Sequence, residues 1–322
     1  MATTPISIVI AGSTSYTRMC AEALDQDDGF VITRVMTPEA KLTGRKQLLT
    51  ENPLHLWARE HNVPVTVIHE RIDQTIKAGT LTQQRPDILL VVDFGYFIPR
   101  WLLEWPTHGP LNIHPSQLPR WRGSSPGQFP ILYGDEASAV TLMVMNEEFD
   151  AGPILSQLPF AVEPSWTARE YYDRAFTLMT QNLPDLLRAH CAGTLPAQVQ
   201  PETSPTATAT KLSREDGRIG WELLHELILG THKPDDCPFT QVSPIVLDAF
   251  SVSGNIYEVV ERAIRAFSPW PGVWTELPPE LGGKRLKILS AHLETSPTLR
   301  LELDNVQLEG KLPSTWKQLQ LI

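Results

Sequence analysis

The stretch Gly109-Pro110-Leu111-Asn112-Ile113-His114-Pro115-Ser116-Gln117-Leu118-Pro119-Arg120-Trp121-Arg122-Gly123 lies between two apolar runs, Asp-Ile-Leu-Leu-Val-Val at 87–92 and Ala-Val-Thr-Leu-Met-Val-Met at 139–145. Both runs have the length and β-branched content of buried strands. Asn112 and His114 sit two apart, so on a short strand their side chains leave the same face. Pro115 and Pro119 stop regular pairing and force a loop. After the second run comes Glu148-Phe149-Asp150-Ala151-Gly152, a turn-like acidic segment. An amide, an imidazole and a carboxylate thus gather around the ends of neighbouring strands, where open α/β sheets bind ligands.

These three groups suit acyl transfer to an amine. The amide can donate to a carbonyl oxygen that gains negative charge during attack. The imidazole can take or steer the amine's proton, and a carboxylate beside it fixes its tautomer. No Ser, Cys or Thr is obviously placed as a nucleophile, which favours direct transfer over a covalent intermediate. Each residue also has a plainer reading. A His in a Pro-flanked loop is commonly a structural hydrogen-bonder, and Asn112 and Asp150 both suit turn chemistry. Spacing alone leaves the two open.

The run from Asn112 to Gly123, followed by Phe149-Asp150-Ala151-Gly152-Pro153-Ile154-Leu155, resembles the signature of the folate-dependent formyltransferases. The Leu-Pro-Arg-Trp-Arg-Gly form is most similar to the branch of that family that formylates methionyl-tRNA. The resemblance implies 10-formyltetrahydrofolate as formyl donor, initiator methionyl-tRNA as acceptor, and no metal. It implies Asn112, His114 and Asp150 as catalytic residues. Asn112 and protonated His114 would stabilise the tetrahedral oxyanion, while Asp150 orients His114 and helps to accept the amine's proton.

The rest of the chain sets the frame. Residues 6–11 read as a first strand, Tyr16 to Leu24 as a helix and 30–36 as a second strand, the start of a Rossmann-like sheet. The lone Gly12 makes no G-x-G-x-x-G fingerprint, so NAD is rejected. The 322 residues have room for one large domain and a smaller one, with 42% hydrophobic and 20% charged residues as in an ordinary globular protein. Cys20, Cys191 and Cys237 are scattered and odd in number, which fits a reducing cytoplasm rather than a disulfide frame. No signal peptide is expected before Ile6, and no apolar run reaches membrane-spanning length. A net charge of −10 argues against general wrapping around nucleic acid, so any RNA contact must come from local patches.

One such patch is the loop 37–46 with Lys41, Arg45 and Lys46. From charge alone it is a solvated loop. The tRNA-formylating branch carries a Gly-Arg-containing basic loop there, which implies a role against the acceptor end. Asp93-Phe94-Gly95-Tyr96-Phe97-Ile98-Pro99 follows the strand 87–92, where the family lines its pterin pocket; Asp93 replaces a small apolar residue. The implied donor-binding set is Phe94, Gly95, Tyr96, Ser116, Leu118 and Pro119. Arg120 and Arg122 either stack on Trp121 and neighbouring carboxylates or face RNA phosphates.

Thr167 and Glu170 form a capping box for a helix to Leu187. Residues 193–210, rich in Thr, Pro and Ala, read as an extended linker between a catalytic domain, 1–192, and a C-terminal domain, 211–322. Lys211 to Ile219 and Pro269-Trp270-Pro271-Gly272 resemble family segments. Strands at 284–291, 299–303 and 305–311 suggest a small OB-like barrel. Its Lys284, Lys287 and Lys311 are further expected RNA contacts. Residues 222–256 exceed the family's single short helix and read as an insertion, with a surface loop at 232–238. The expectation is thus a monomeric cytoplasmic transferase. The alternatives are a sugar-nucleotide N-formyltransferase, a 10-formyltetrahydrofolate hydrolase and a non-catalytic RNA-binding protein.

Overall fold

The computed structural model describes residues 4–43, 48–81 and 83–319. They divide into two compact units. The first comprises residues 1–122, 139–160 and 173–207; the second comprises 123–138, 161–172 and 208–322.

The chain opens with strand β1 (Ile6–Gly12), helix α1 (Ser15–Asp25) and β2 (Phe30–Pro38). A small hairpin, β3 (Lys41–Thr43) and β4 (Leu48–Thr50), precedes α2 (Pro53–Glu60), β5 (Val65–Ile68) and α3 (Gln74–Leu81). Then come β6 (Ile88–Val92), α4 (Arg100–Leu103), β7 (Pro110–His114) and α5 (Gln128–Tyr133). Strands β8 (Ala137–Val144) and β9 (Ile154–Ala161) lead into the long helix α6 (Ala168–Cys191).

The sheet of the first unit runs β5-β2-β1-β6-β7-β8-β9. Strands β2, β1, β6 and β7 are parallel, and β8 turns antiparallel to β7. This is the expected Rossmann-like sheet. β6 is buried at every position, as a central parallel strand covered on both faces should be. Leu89 and Val91 pack with Val9, Ala11, Met36, Ile68, Ile98 and Leu102. Each such side chain contributes about 1.5–3 kcal/mol of burial.

Gly12 explains the turn from β1 into α1. A Cβ there would lie 2.2 Å from the Val92 carbonyl oxygen and 2.4 Å from Thr17 Oγ1. That closeness lets the buried Thr17 hydroxyl donate to the Val92 oxygen, 2.8 Å away, tying helix to strand end. The glycine therefore serves packing between protein groups.

Strand β9 has no counterpart in the sequence reading. Pro153 and Pro159 disguise it, yet it lies at the end of the sheet order, where proline is tolerated. Helix α5 starts at Gln128, and Gly123 ahead of it holds φ at 132°. The segment 193–207 is extended and joined to the first unit: Gln198 and Ile154 exchange backbone hydrogen bonds of 2.7 and 2.8 Å.

In the second unit, α7 (Trp221–Leu229), α8 (Pro244–Ser253) and α9 (Ile256–Ala266) precede β10 (Val273–Glu276), β11 (Arg285–Glu294) and β12 (Arg300–Leu308). β13 (Ser314–Thr315) and α10 (Trp316–Leu319) follow. The expected small β domain is a four-stranded antiparallel sheet, β10-β11-β12-β13. β12 runs through Asp304-Asn305 without a break, because a register shift at Ser290 absorbs the polar pair. Residues 222–256 are largely helical and supply Leu223, Leu224, Leu227, Val246 and Ala249 to the buried interior. In their loop, His232 Nδ1 lies 2.6 Å from Glu226 Oε2. Among the described residues no three His, Cys, Asp or Glu side chains are grouped to hold a metal, and no helix is long and apolar enough to cross a membrane.

Candidate functional site

The site is built at the carboxyl end of β7. Val91 of β6 pairs with Asn112, and Thr141 of β8 pairs with His114, so both side chains rise from one face between two neighbours. Asn112 Nδ2 donates to the Val91 carbonyl oxygen at 3.2 Å, while Oδ1 is buried without a hydrogen-bond partner. Flipping the amide would set Oδ1 against the Val91 oxygen, two acceptors face to face, so the orientation is fixed. One amide hydrogen and the whole Oδ1 acceptor are left for a ligand. A buried acceptor without a donor costs about 1–3 kcal/mol.

His114 is 5% exposed. Its Nε2 lies 3.0 Å from the Trp121 carbonyl oxygen. A carbonyl can only accept, so Nε2 carries the proton and Nδ1 is the basic nitrogen. Asp150 Oδ2 stands 3.7 Å from Nδ1. That is ion-pair distance, longer than a hydrogen bond. The tautomer expected to be set by Asp150 is set instead by a main-chain carbonyl.

The loop 115–122 must therefore hold Trp121 still. Its hydrogen bonds account for this. Ser116 Oγ donates to the Arg120 oxygen at 2.8 Å, and Thr141 Oγ1 donates to the Ser116 oxygen at 2.7 Å. Gln157 Nε2 donates to the Leu118 oxygen at 2.8 Å, and Ser204 Oγ donates to that of Pro119 at 2.8 Å. Trp121 N–H donates to Thr206 Oγ1 at 3.0 Å; the residue is buried with φ of 60°. Ser116 and Leu118, expected to touch the donor, are enclosed and hold the loop. Pro119 is half-buried beside them. The Arg120 guanidinium lies 4.5 Å over the Trp121 ring, the stacked arrangement of the two read from sequence.

Asp150 stands in a tight turn with φ of 52°. Two features enforce it. A Cβ on Gly152 would lie 1.9 Å from the Val144 oxygen, so only glycine fits. Gln200 Nε2 donates to the oxygens of Asp150 and Gly152 at 3.0 and 2.7 Å. Gln200 Oε1 in turn accepts from Arg122 Nε and Nη2 at 3.1 and 2.9 Å. Arg122 is thus engaged within its own unit, donating also to Pro201 at 2.9 Å. Sequence reasoning missed Gln200, one glutamine in a Thr/Pro/Ala-rich segment with no motif to mark it.

The 93–99 loop follows β6. Phe94 and Tyr96 pack with ring centroids 5.2 Å apart, and Tyr96 Oη donates to the His69 oxygen at 3.1 Å. Gly95 is exposed, and a methyl group there would meet nothing within 4 Å. The left-handed residue in this loop is Asp93, with φ of 47°. Asp93 is exposed as a residue, yet protein atoms crowd its carboxyl; that desolvation pushes its pKa above the usual carboxylate value, and a hydrogen bond with Thr14 opposes the shift.

Among the expected RNA contacts, Lys41 is exposed on β3, Lys284 and Lys311 are exposed, and Lys287 is half-buried on β11. Arg45 and Lys46 lie outside the described residues.

The formyl transferase family model matches residues 5–187, and the formyl transferase C-terminal domain matches 256–311. The methionyl-tRNA formyltransferase of Legionella pneumophila (strain Paris) is 32% identical over 276 residues, covering 84% of this chain and 75% of that protein. That of Magnetococcus marinus is 29% identical over 303 residues, covering 94% and 85%. Among solved structures, an N-formyltransferase from Helicobacter canadensis in complex with folinic acid and dTDP-3-aminofucose aligns with a TM-score of 0.58 at 16% identity, covering 90% of this chain and 89% of that one. WlaRD, a sugar 3N-formyl transferase solved with dTDP and 5-N-formyl-THF, aligns with a TM-score of 0.60 at 16% identity, covering 96% and 100%. At that identity these two speak for the fold alone. The amide, imidazole and carboxylate at the end of β7 stand within the segment that the family model matches, and the chain belongs to the formyl transferase family.

Proposed function

We propose that this protein moves a formyl group from 10-formyltetrahydrofolate to the α-amine of methionine carried on initiator tRNA. Formyl transfer is the family's reaction; the choice of acceptor rests on the relatives that share about a third of its residues, which are methionyl-tRNA formyltransferases. The observation that supports chemistry at β7 is the unsatisfied Oδ1 of Asn112, buried beside an imidazole with a known basic nitrogen.

The residues present fit a folate-type donor. Gly95 leaves open space where a flat ring could approach the backbone, with Phe94 and Tyr96 flanking it. Ser116, Leu118 and Pro119 contribute by fixing the adjoining loop. Such a donor supplies an activated formyl carbon on nitrogen.

The protein's own groups then act as follows. The free amide hydrogen of Asn112 stabilises the formyl oxygen as it gains charge. His114, once its basic Nδ1 takes up a proton while Nε2 stays held by Trp121, adds a second, charged donor. Asp150 accepts the proton that the attacking amine releases, across the gap that separates it from Nδ1; as the new C–N bond forms, the bond from the formyl carbon to N10 breaks and that proton passes to N10 of the departing tetrahydrofolate. Arg122 and Gln200 keep Asp150 in place. We assign Lys41, Arg45, Lys46, Lys284, Lys287 and Lys311 to RNA phosphates, and Arg120 to the same surface through its stacked guanidinium.

Incubation with 10-formyltetrahydrofolate tests the reading. Methionyl initiator tRNA, a sugar-nucleotide amine and no acceptor form parallel reactions. Formylated tRNA is expected. Transfer only to the sugar would replace this reading, and donor turnover that ignores the tRNA would point to a hydrolase.

A further inference from the structure

The second unit carries a cavity of about 310 Å³ that the catalytic argument does not use. Its floor is one face of the sheet. Trp274, Lys287 and Gln307 are register partners in a row across β10, β11 and β12. The alternate residues Leu286, Ile288 and Val306 point to the buried side. Arg285, Arg214, Trp270 and Glu309 also line the cavity.

Three cations meet here against one carboxylate, and among the described residues none of the three has an ion-pair partner. Packing holds them instead. The Arg285 guanidinium lies 4.1 Å over the Trp274 ring, and its Nε is buried without a hydrogen-bond partner. The end of Lys287 rests on Gly272, where a Cβ would come within 2.8 Å of Cε. Trp270 is 52% exposed, a large flat ring left to solvent beside these charges. Gln307 Nε2 donates to the Lys311 oxygen at 3.0 Å, which leaves its Oε1 as an acceptor.

We propose that this cavity binds one nucleotide, its base stacked on Trp270 and its phosphate held by Lys287 and Arg214. A lone inorganic anion would make no use of the indole. An acidic peptide would make little use of Gln307 and would meet Glu309 as a like charge. A nucleotide uses all of them: ring on ring, phosphate on cations, and exocyclic amines or ribose hydroxyls on the Gln307 and Glu309 acceptors. The volume lies at the small end of the range for ligand pockets, which suits one nucleotide. The same chemistry is offered by a free mononucleotide and by an unpaired residue of an RNA. The site shares Lys287 with the RNA surface assigned above; nucleotide binding on Trp270 goes beyond that reading and stands whether or not RNA is the acceptor.

The test uses the full chain and 2-aminopurine riboside 5′-monophosphate, whose fluorescence falls on stacking. Saturable quenching is expected, displaced by AMP and more weakly by ribose 5-phosphate. Trp270→Ala and Lys287→Gln should each weaken it about tenfold, within the range measured for base–aromatic stacks, while Trp270→Phe retains most of it. The riboside without phosphate should bind more weakly than the monophosphate. Single-stranded RNA carrying an unpaired 2-aminopurine separates the sources. Tighter quenching than the free nucleotide, competed by AMP, assigns the pocket to RNA; quenching of the free nucleotide alone assigns it to a small ligand. Absence of quenching with both probes overturns the proposal. So does unaltered quenching in Trp270→Ala and Lys287→Gln proteins with wild-type melting curves. Formyl transfer is read in a separate assay, so the two readings fall independently.

Discussion

His114 donates its Nε2 hydrogen to the carbonyl oxygen of Trp121 across 3.0 Å, and Nδ1 therefore faces the Asp150 carboxylate at 3.7 Å as the ring's basic nitrogen. Asp150→Asn should accordingly leave the imidazole in the same tautomer, because the main chain sets it. Nitrogen chemical shifts of His114 would check this. Turnover should still fall by about 10²–10⁴, the usual contribution of a positioned proton acceptor. A tautomer that switches in the variant would return the orienting role to Asp150.

On the proposed mechanism, Asn112→Ala removes the amide that would donate to the formyl oxygen. Transition-state stabilisation should drop by about 2.7–4 kcal/mol, with much smaller change in substrate binding, because the interaction grows as charge develops. Single-turnover kinetics separate the two. Weaker binding with unchanged turnover would show that Asn112 shapes the pocket and does no more.

Gln200→Ala cuts the link between Arg122 and the Asp150 turn. Two hydrogen bonds to carbonyl oxygens are lost, and stability should fall by about 1–3 kcal/mol. A residue that only stabilised the fold would stop there. Because Gln200 fixes the turn that carries Asp150, kcat should fall and its pH profile shift while KM for the donor changes little. An unmoved pH profile would reduce Gln200 to a structural role.

The β7 strand was legible because local pattern decides it: alternation places Asn112 and His114 on one face, and Pro115 ends the strand; their pairing with Asp150 was implied by the family resemblance alone. The Rossmann-like start was legible for the same reason, through β-branched runs at 6–11 and 30–36. What sets the site's electrostatics was not. The partner of His114 is a carbonyl, which every residue carries, so no side chain announces it. Gln200 reaches Asp150 across 50 residues of sequence, a contact that only the folded chain creates. β9 was hidden by its prolines, and the hairpin residues Lys41 to Thr43 by a composition that reads as loop.

Cys20 gives a pH-dependent prediction. Full burial pushes its thiol from 9.0 up to about 12. Below pH 9 both folded and unfolded thiols are protonated and the group contributes no slope. Above it the unfolded thiol ionises while the folded one does not. Stability should then fall by about 1.4 kcal/mol per pH unit until the folded pKa is reached. Urea unfolding on either side of pH 9, compared with Cys20→Ala, isolates the effect, since the variant lacks this slope.

Arg45→Glu should raise the KM for tRNA and lower kcat/KM while donor binding stays intact. Apparent tRNA affinity should also lose part of its salt dependence, because a phosphate contact releases counterions. Lys41→Glu, at an exposed position on β3, should act in the same direction. Damage to donor binding in either variant would move this loop to the folate pocket.

The pairing of Gln198 with Ile154 bears on where the chain can be cut. A fragment ending at residue 192 would contain Asn112, His114 and Asp150, yet Ile154 of β9 would lose its partner Gln198. Unpaired N–H and C=O groups on a strand edge are a template for pairing with other chains. Such a fragment would aggregate, and its Asp150 turn would be loose. One extended to Ala207 keeps both the covered edge and the brace.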